Sequence, residues 1–200
     1  SLATMNYYQL NIVDPARLKL NSTGADFTDE SLKEYYKEIK YNDTLENIIR
    51  RLVVAGRKSI LVFTRFVDEA EHLVHTLDVP AAVVSGETPK NERERILTGF
   101  KEKRITVVAN VGILTTGFDY PELATVVLAR PTMSLSLYYQ MCGRAIRPYK
   151  DKVSWIVDLC GNFKRFGRVD HLELRPERPE SKLWAVYSGQ KQLTNVLFNN

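Results

Sequence analysis

Gln140-Met141-Cys142-Gly143-Arg144-Ala145-Ile146-Arg147 strings two arginines and a glycine together with no acid among them. On a helix, positions 140, 143, 144 and 147 follow the i, i+3, i+4, i+7 pattern and share one face. Gly143 keeps that face bare, so a polyphosphate can meet two guanidinium forks, each of which matches phosphate oxygens bidentately. The plainer alternative is an exposed helical face whose arginines pair with acids elsewhere in the fold.

The elements that must position this segment read as an alternation. Ser59–Phe63, Ala81–Val84, Ile105–Ala109, Thr125–Ala129 and Val153–Leu159 are short apolar runs suited to strands buried on both faces. Helices are expected between them over Phe66–Leu77, Thr88–Glu102 and Ser134–Arg144. Thr88-Pro89 supplies an N-cap and a first-turn proline for the second of these. Further upstream, Thr28 caps a helix to Ile39, and Asp43 with Glu46 makes a capping box for a helix to Ala55, stopped by Gly56. Residues 1–27 read as an extended leading segment. The pattern predicts an α/β fold in three layers, a mostly parallel sheet with helices on both faces. Ligands of such sheets gather at the carboxyl ends of the strands. That edge receives Thr64-Arg65, Ser85-Gly86, the loop from Asn110 to Asp119, and Arg130-Pro131-Thr132.

Composition narrows the class without naming a partner. In 200 residues, 44% are hydrophobic and 26% charged, which excludes a disordered chain or a fibre. Lys and Arg number 28 against 24 acids, a net +4 and a pI near 9.0, compatible with an anionic partner such as nucleic acid. Two cysteines, Cys142 and Cys160, are too few for a disulfide framework and read as free thiols in a reducing compartment. No apolar run reaches the length of a membrane span, so a soluble, cytoplasmic protein without membrane contact is expected. His72 and His75 sit at i, i+3 with no third ligand in the sequence, so no metal site is expected.

A nucleotide-binding loop is missing. Gly112–Gly117 has the glycine spacing, but Phe118 and Asp119 stand where lysine and a hydroxyl are needed. Gly56-Arg57-Lys58-Ser59 precedes a strand, whereas a phosphate loop follows one and opens a helix. No acidic pair closes a strand.

The order of the motifs is informative. Ile60-Leu61-Val62-Phe63-Thr64-Arg65, then Ser85-Gly86 with Arg93 and Phe100, then Leu114-Thr115-Thr116-Gly117-Phe118-Asp119-Tyr120-Pro121, then Gln140–Arg147, resemble helicase motifs IV, IVa, V and VI. The chain thus resembles the second RecA-like domain of a superfamily 2 helicase over roughly residues 55–170. Ala129-Arg130-Pro131-Thr132 and Asp158-Leu159-Cys160-Gly161-Asn162 are closest to RadD-type and restriction-subunit-type DNA helicases, phage relatives included.

The resemblance implies specific roles. Arg147 is the expected arginine finger, with Arg144 beside it and Gln140 orienting the group. Gly117, Asp119 and Gly143 lie by the nucleotide, Asp119 touching ribose or steadying a motif VI arginine. Thr64, Arg65, Ser85, Gly86, Asn110, Thr115 and Thr116 hold strand phosphates. ATP and magnesium are the implied cofactors, held mainly by an upstream RecA-like lobe. Nucleic acid is the implied partner, DNA over RNA, because Met141 and Asn110 depart from the residues usual in RNA helicases. Residues 1–40 are then a linker or extension from the upstream lobe, 41–174 the helicase lobe, and 175–200 a C-terminal extension. The alternatives are a restriction-enzyme translocation subunit and a non-enzymatic nucleic-acid-binding module of the same fold. Asn162–Arg168, which interleaves bases with aromatics as single-strand binders do, is equally an ordinary charged surface.

Overall fold

Runs rich in Val, Ile and Leu become strands because branched side chains pack well on a pleated surface. They are β2 (Ile60–Thr64), β3 (Ala81–Ser85), β4 (Val107–Val111), β5 (Thr125–Leu128) and β6 (Val153–Asp158). A computed structural model describes residues 4–112, 118–194 and 198–199. Before the first of these strands come α1 (Asp29–Glu38) and α2 (Tyr41–Val54). Between and after the strands lie α3 (Val67–Thr76), α4 (Lys90–Lys101), α5 (Leu135–Gly143) and α6 (Asn162–Phe166).

The leading segment, read as extended, contributes a strand to the sheet. Thr4–Gln9 is a strand, β1, that pairs parallel with β6 and completes a six-stranded all-parallel sheet of order β1-β6-β5-β2-β4-β3. Alternation in the sequence marks extended backbone, but its partner lies about 150 residues downstream, beyond the reach of any local pattern.

Side-chain alternation divides two cores. Leu61, Phe63, Val108, Val126, Leu128 and Ile156 face α4, α5 and α6, while Ile60, Val62, Val107, Val127 and Val157 face α1, α2 and α3. The inner strands therefore carry apolar residues toward both faces, and the fold has the expected three layers.

Two helix starts are set by packing rather than by the expected caps. Lys40 takes left-handed backbone (φ 53°) at a two-residue corner after α1, and α2 begins at once with Tyr41, fully buried. Asp43 and Glu46 thereby fall inside the helix. Thr88 does not cap α4; its Oγ1 accepts from Ser85 N at 2.9 Å and closes the turn after β3. Residues beyond α6 form a small antiparallel sheet of β7 (Leu172–Pro176), β8 (Leu183–Ser188), β9 (Lys191–Gln192) and β10 (Phe198–Asn199).

Arginine at the amino edge serves the fold. Arg57 donates to Thr125 Oγ1 (2.6 Å) and to the carbonyls of Ala124 and Val153 (2.9 Å each), with its guanidinium 4.4 Å from the Trp155 ring centre. At the carboxyl edge, Tyr41 Oη donates to the Ala129 carbonyl at 2.5 Å beneath the stacked ring of Tyr36, 3.9 Å away. Tyr41→Phe is expected to lower the unfolding free energy by about 1–2 kcal/mol in urea titration, since it removes a donor from a buried carbonyl. Cys142 and Cys160 are both fully buried, and burial pushes both thiols up in pKa. A thiol reagent at neutral pH should therefore label neither until denaturant is added.

Candidate functional site

Helix α5 has a defined start. Ser134 Oγ accepts from Leu137 N at 3.1 Å as its N-cap, and Tyr138, Met141 and Cys142 bury one side. The opposite side carries Gln140, Gly143 and Arg144. The helix ends at Gly143, so Arg147 does not share its face as the spacing suggested; the chain turns back after Arg144 and brings Arg147 beside the groove from a non-helical turn. Gln140, Gly143, Arg144 and Arg147 still line one groove of about 570 Å³, opposite Phe118 and Asp119. A Cβ placed on Gly143 would meet no atom within 4 Å, so the glycine leaves open space.

The arginines are not without an acid once the chain folds. Arg147 Nη1 pairs with Asp119 Oδ1, both side chains more than half exposed. Asp119 thus meets an arginine of the motif VI segment across the groove. Arg144 is held by backbone: Nη1 donates to Phe118 O at 2.9 Å and Nε to Gln140 O at 3.4 Å. Partial burial lowers the Arg144 pKa, the like charge of Arg147 adds to this, and the guanidinium stays protonated at neutral pH. The Gln140 amide turns back along the helix to donate to Ser136 Oγ at 3.3 Å. The groove presents cationic, directional donors, one of them paired with the exposed Asp119 carboxylate, and donors of this kind suit phosphate oxygens.

The residues expected on strand phosphates meet at the carboxyl edge, and burial sorts them. Arg65 is accessible and pairs with Asp29 of α1 at 2.7 Å. Gly86 has no positive φ, and a Cβ there would meet open space, so the turn itself does not demand glycine. Thr64, Ser85 and Asn110 are buried at adjacent strand ends, and Thr64 Oγ1 donates to Asn110 O at 3.3 Å. Their side chains lie within the edge rather than presenting to solvent, although β3, which carries Ser85, is an outer strand of the sheet. Thr115, Thr116 and Gly117 lie outside the described residues.

Sequence reasoning passed over the residues that hold the loop from β5 to α5. Asp158, at the end of β6, accepts from Cys160 N (3.1 Å), Asn162 Nδ2 (3.1 Å) and Phe163 N (2.7 Å); burial pushes its pKa up against these hydrogen bonds. Asn162 Nδ2 also donates to Arg130 O (2.9 Å) and its Oδ1 accepts from Thr132 N (3.0 Å). On the other side, Asp26 accepts from Thr132 Oγ1 and Met133 N, each at 3.2 Å. An acid ending a strand with an amide four residues on is a local signal for the first pair. Nothing local signals Asp26.

The aromatic residues after Asn162 are packing residues: Phe166 is buried and stacks on Tyr138 at 5.0 Å, and Phe163 lies against Tyr7 at 5.4 Å. Arg168 pairs with Asp170 at 2.9 Å. His72 gains neighbours in Asp43 and Glu46, all three offering ligand atoms within 4.8 Å of one another. Glu46, however, already accepts from Arg50 at 2.8 and 3.1 Å, which sets a cation against the same carboxylate. A recess of about 710 Å³ between α1, α2 and α3 lies across the sheet from the arginine groove. Among the described residues, no helix is long and apolar enough to cross a membrane.

Known proteins resemble this chain in sequence and in fold. A "51.5 kDa protein" of a Lactococcus phage (isolate 7-9) is 28% identical over 172 residues, 84% of this chain and 37% of that one. The type I restriction enzyme EcoKI endonuclease subunit of Escherichia coli is 33% identical over 106 residues, 50% of this chain and 9% of that one. The chain therefore spans well under half the length of these relatives. Among solved structures, the E. coli DEAD-box protein SrmB bound to regulator of ribonuclease activity A superposes with a TM-score of 0.53 at 16% identity, over 82% of this chain and 80% of that one, a likeness of fold. Residues 41–149, from the first buried tyrosine of α2 through the arginine groove, match the family described as "Helicase conserved C-terminal domain", and the chain belongs to that family as a RecA-like lobe of a superfamily 2 helicase.

Proposed function

We propose that this chain is the second motor lobe of an ATP-dependent DNA helicase or translocase and does not hydrolyse ATP alone. The observation that carries this reading is the groove at the end of α5. Two guanidinium groups converge there beside a bare Gly143, in a sequence with no phosphate loop. These residues fit the phosphate end of a nucleotide held by another lobe. Asp119 is engaged by Arg147, so the ligands of the accompanying magnesium are assigned to that lobe too. Bound ATP supplies the free energy of a phosphoryl transfer whose developing charge Arg147 and Arg144 neutralise on closure. On exchange, the Arg147 head leaves Asp119 for the γ-phosphate, a swap made easy because the ion pair is exposed and weakly bound.

DNA is favoured over RNA. Met141, which stands where RNA helicases of the superfamily often carry arginine, is fully buried against the sheet, so position 141 offers no polar contact here. The similarity to a restriction endonuclease subunit supports a second reading, a motor that moves along duplex without opening it. A two-lobed protein that displaces a third strand from a triplex yet leaves a forked duplex intact would favour that reading over an unwinding one.

In the two-lobed protein, Arg147→Ala is expected to cut DNA-stimulated ATP turnover by about 10³-fold or more, as loss of such fingers does elsewhere. A loss within about twofold would remove the finger assignment. Stability should hardly move, by less than about 0.5 kcal/mol, because the lost pair is exposed. Gly143→Ala separates the two properties: it is expected to add up to about 1 kcal/mol of helix stability while slowing turnover, since its methyl group enters the groove. The 200-residue chain by itself should release no phosphate from ATP above background, with or without DNA.

A further inference from the structure

The loop Ala129–Ser134 launches the helix that ends in the arginine groove, and it is held on two sides. One side is the Asp158–Asn162 pair within the sheet. The other is a turn of the leading segment. Asn21 Oδ1 accepts from Ala25 N and Thr23 Oγ1 (3.0 Å each), Gly24 takes φ +71°, and Asn21 N donates to Asp26 O at 2.8 Å. This turn is braced against the carboxyl edge by Asp29 on Arg65 (2.7 Å) and by the Arg165 guanidinium 5.5 Å from the Phe27 ring centre. At its closing end, Asp26 Oδ2 accepts from Thr132 Oγ1 and Oδ1 from Met133 N, with the Arg130 guanidinium 3.8 Å away.

We propose that Asp26 is a positioning residue for Arg144 and Arg147, acting through Thr132 and Ser134 on the start of α5. It rests on the motor reading above, because it concerns where the two guanidinium groups stand. The path is continuous. Thr132, fully buried, donates its hydroxyl to Asp26 and accepts from Ser134 N at 2.9 Å, and Ser134 caps α5 through Leu137 N. Pro131 has no N–H to add, so the amides of residues 132, 133 and 134 are what anchor the loop, and each has a side-chain acceptor. A nine-residue helix is about 13 Å long, so a tilt of about 5° at its start moves its far end by about 1 Å. Displacements of that size cost about 10²-fold in rate when the groups must meet a transition state. The clamp also makes the leading segment a lever on the nucleotide face, since the segment bearing Asp26 touches the loops after β2 and β5 and the helix α6.

The test uses variants of the two-lobed protein and of the 200-residue chain. Asp26→Ala and Thr132→Val should each lower kcat for DNA-stimulated ATP hydrolysis by roughly tenfold to a hundredfold while KM for ATP stays within about twofold. Asp26→Asn, which keeps an acceptor for Met133 N, and Thr132→Ser, which keeps the hydroxyl, should recover most of the loss. The double variant Asp26→Ala/Thr132→Val should be no worse than the more severe single one, because both break one path. In the 200-residue chain, Asp26→Ala should speed hydrogen exchange in residues 132–144 and leave β2 and β4 unchanged. Unaltered kcat in Asp26→Ala, equal loss in Thr132→Ser and Thr132→Val, or unaltered exchange in α5 would each overturn the clamp. If Arg147→Ala also leaves turnover intact, the motor reading fails separately, and the exchange experiment still decides whether Asp26 holds the helix.

Discussion

A buried carboxylate, Asp158, governs the working edge of this domain. A charge taken from water is tolerable only when its lone pairs are met by donors, and Asp158 meets three, two of them backbone amides of the segment that follows it. That requirement folds the chain sharply after β6 and delivers Asn162 to a fixed place. Asn162 then uses both ends of its amide on the neighbouring loop, at Arg130 O and Thr132 N. The loop in turn starts α5, and α5 ends at the arginine groove. Each step passes a geometric demand from one inner strand to the next element.

The basic residues divide by task rather than by abundance. Arg57, Arg50 and Arg168 are engaged by carbonyls, carboxylates and aromatic rings and hold elements together. Arg144, Arg147 and Arg65 stand at the carboxyl edge or its groove, with partners that a phosphate can replace or extend. The net charge of +4 mixes the two populations. Charge alone therefore pointed only to some anionic partner, and the folded positions show which arginines can meet one.

Much of the layout was legible in the sequence because it is local. Strands β2 to β6 announce themselves as short, mostly apolar runs, and Ser134 sits where an N-cap must. The asymmetry of the motif VI segment, apolar at Met141 and Cys142 and polar at Gln140, Gly143 and Arg144, also survives in the fold. Errors arose where a neighbour far along the chain outweighs local preference. Asp43 and Glu46 have the spacing of a capping box, but burial of Tyr41 starts the helix earlier. Arg147 has helical spacing from Gln140, yet the helix ends at Gly143. Thr64, Ser85 and Asn110 are polar types suited to phosphate, and the burial of their side chains at the carboxyl ends of β2, β3 and β4 is a matter of packing that no local pattern marks.

By itself, the sequence determined which residue types are available: two guanidinium groups beside a glycine, a run of polar strand ends, and no phosphate loop. It also determined the period of each element, because hydrophobic alternation acts over a few residues. Only the tertiary structure decided that Asp119 meets Arg147, that Thr4–Gln9 closes the sheet as an edge strand, and that Asp26 reaches across 106 positions to the loop before α5. These are contacts between segments whose sequences carry no mark of each other. Hydrogen bonds and ion pairs form wherever packing brings donor and acceptor within reach, and it is the parallel sheet, with its long crossovers, that brings them there.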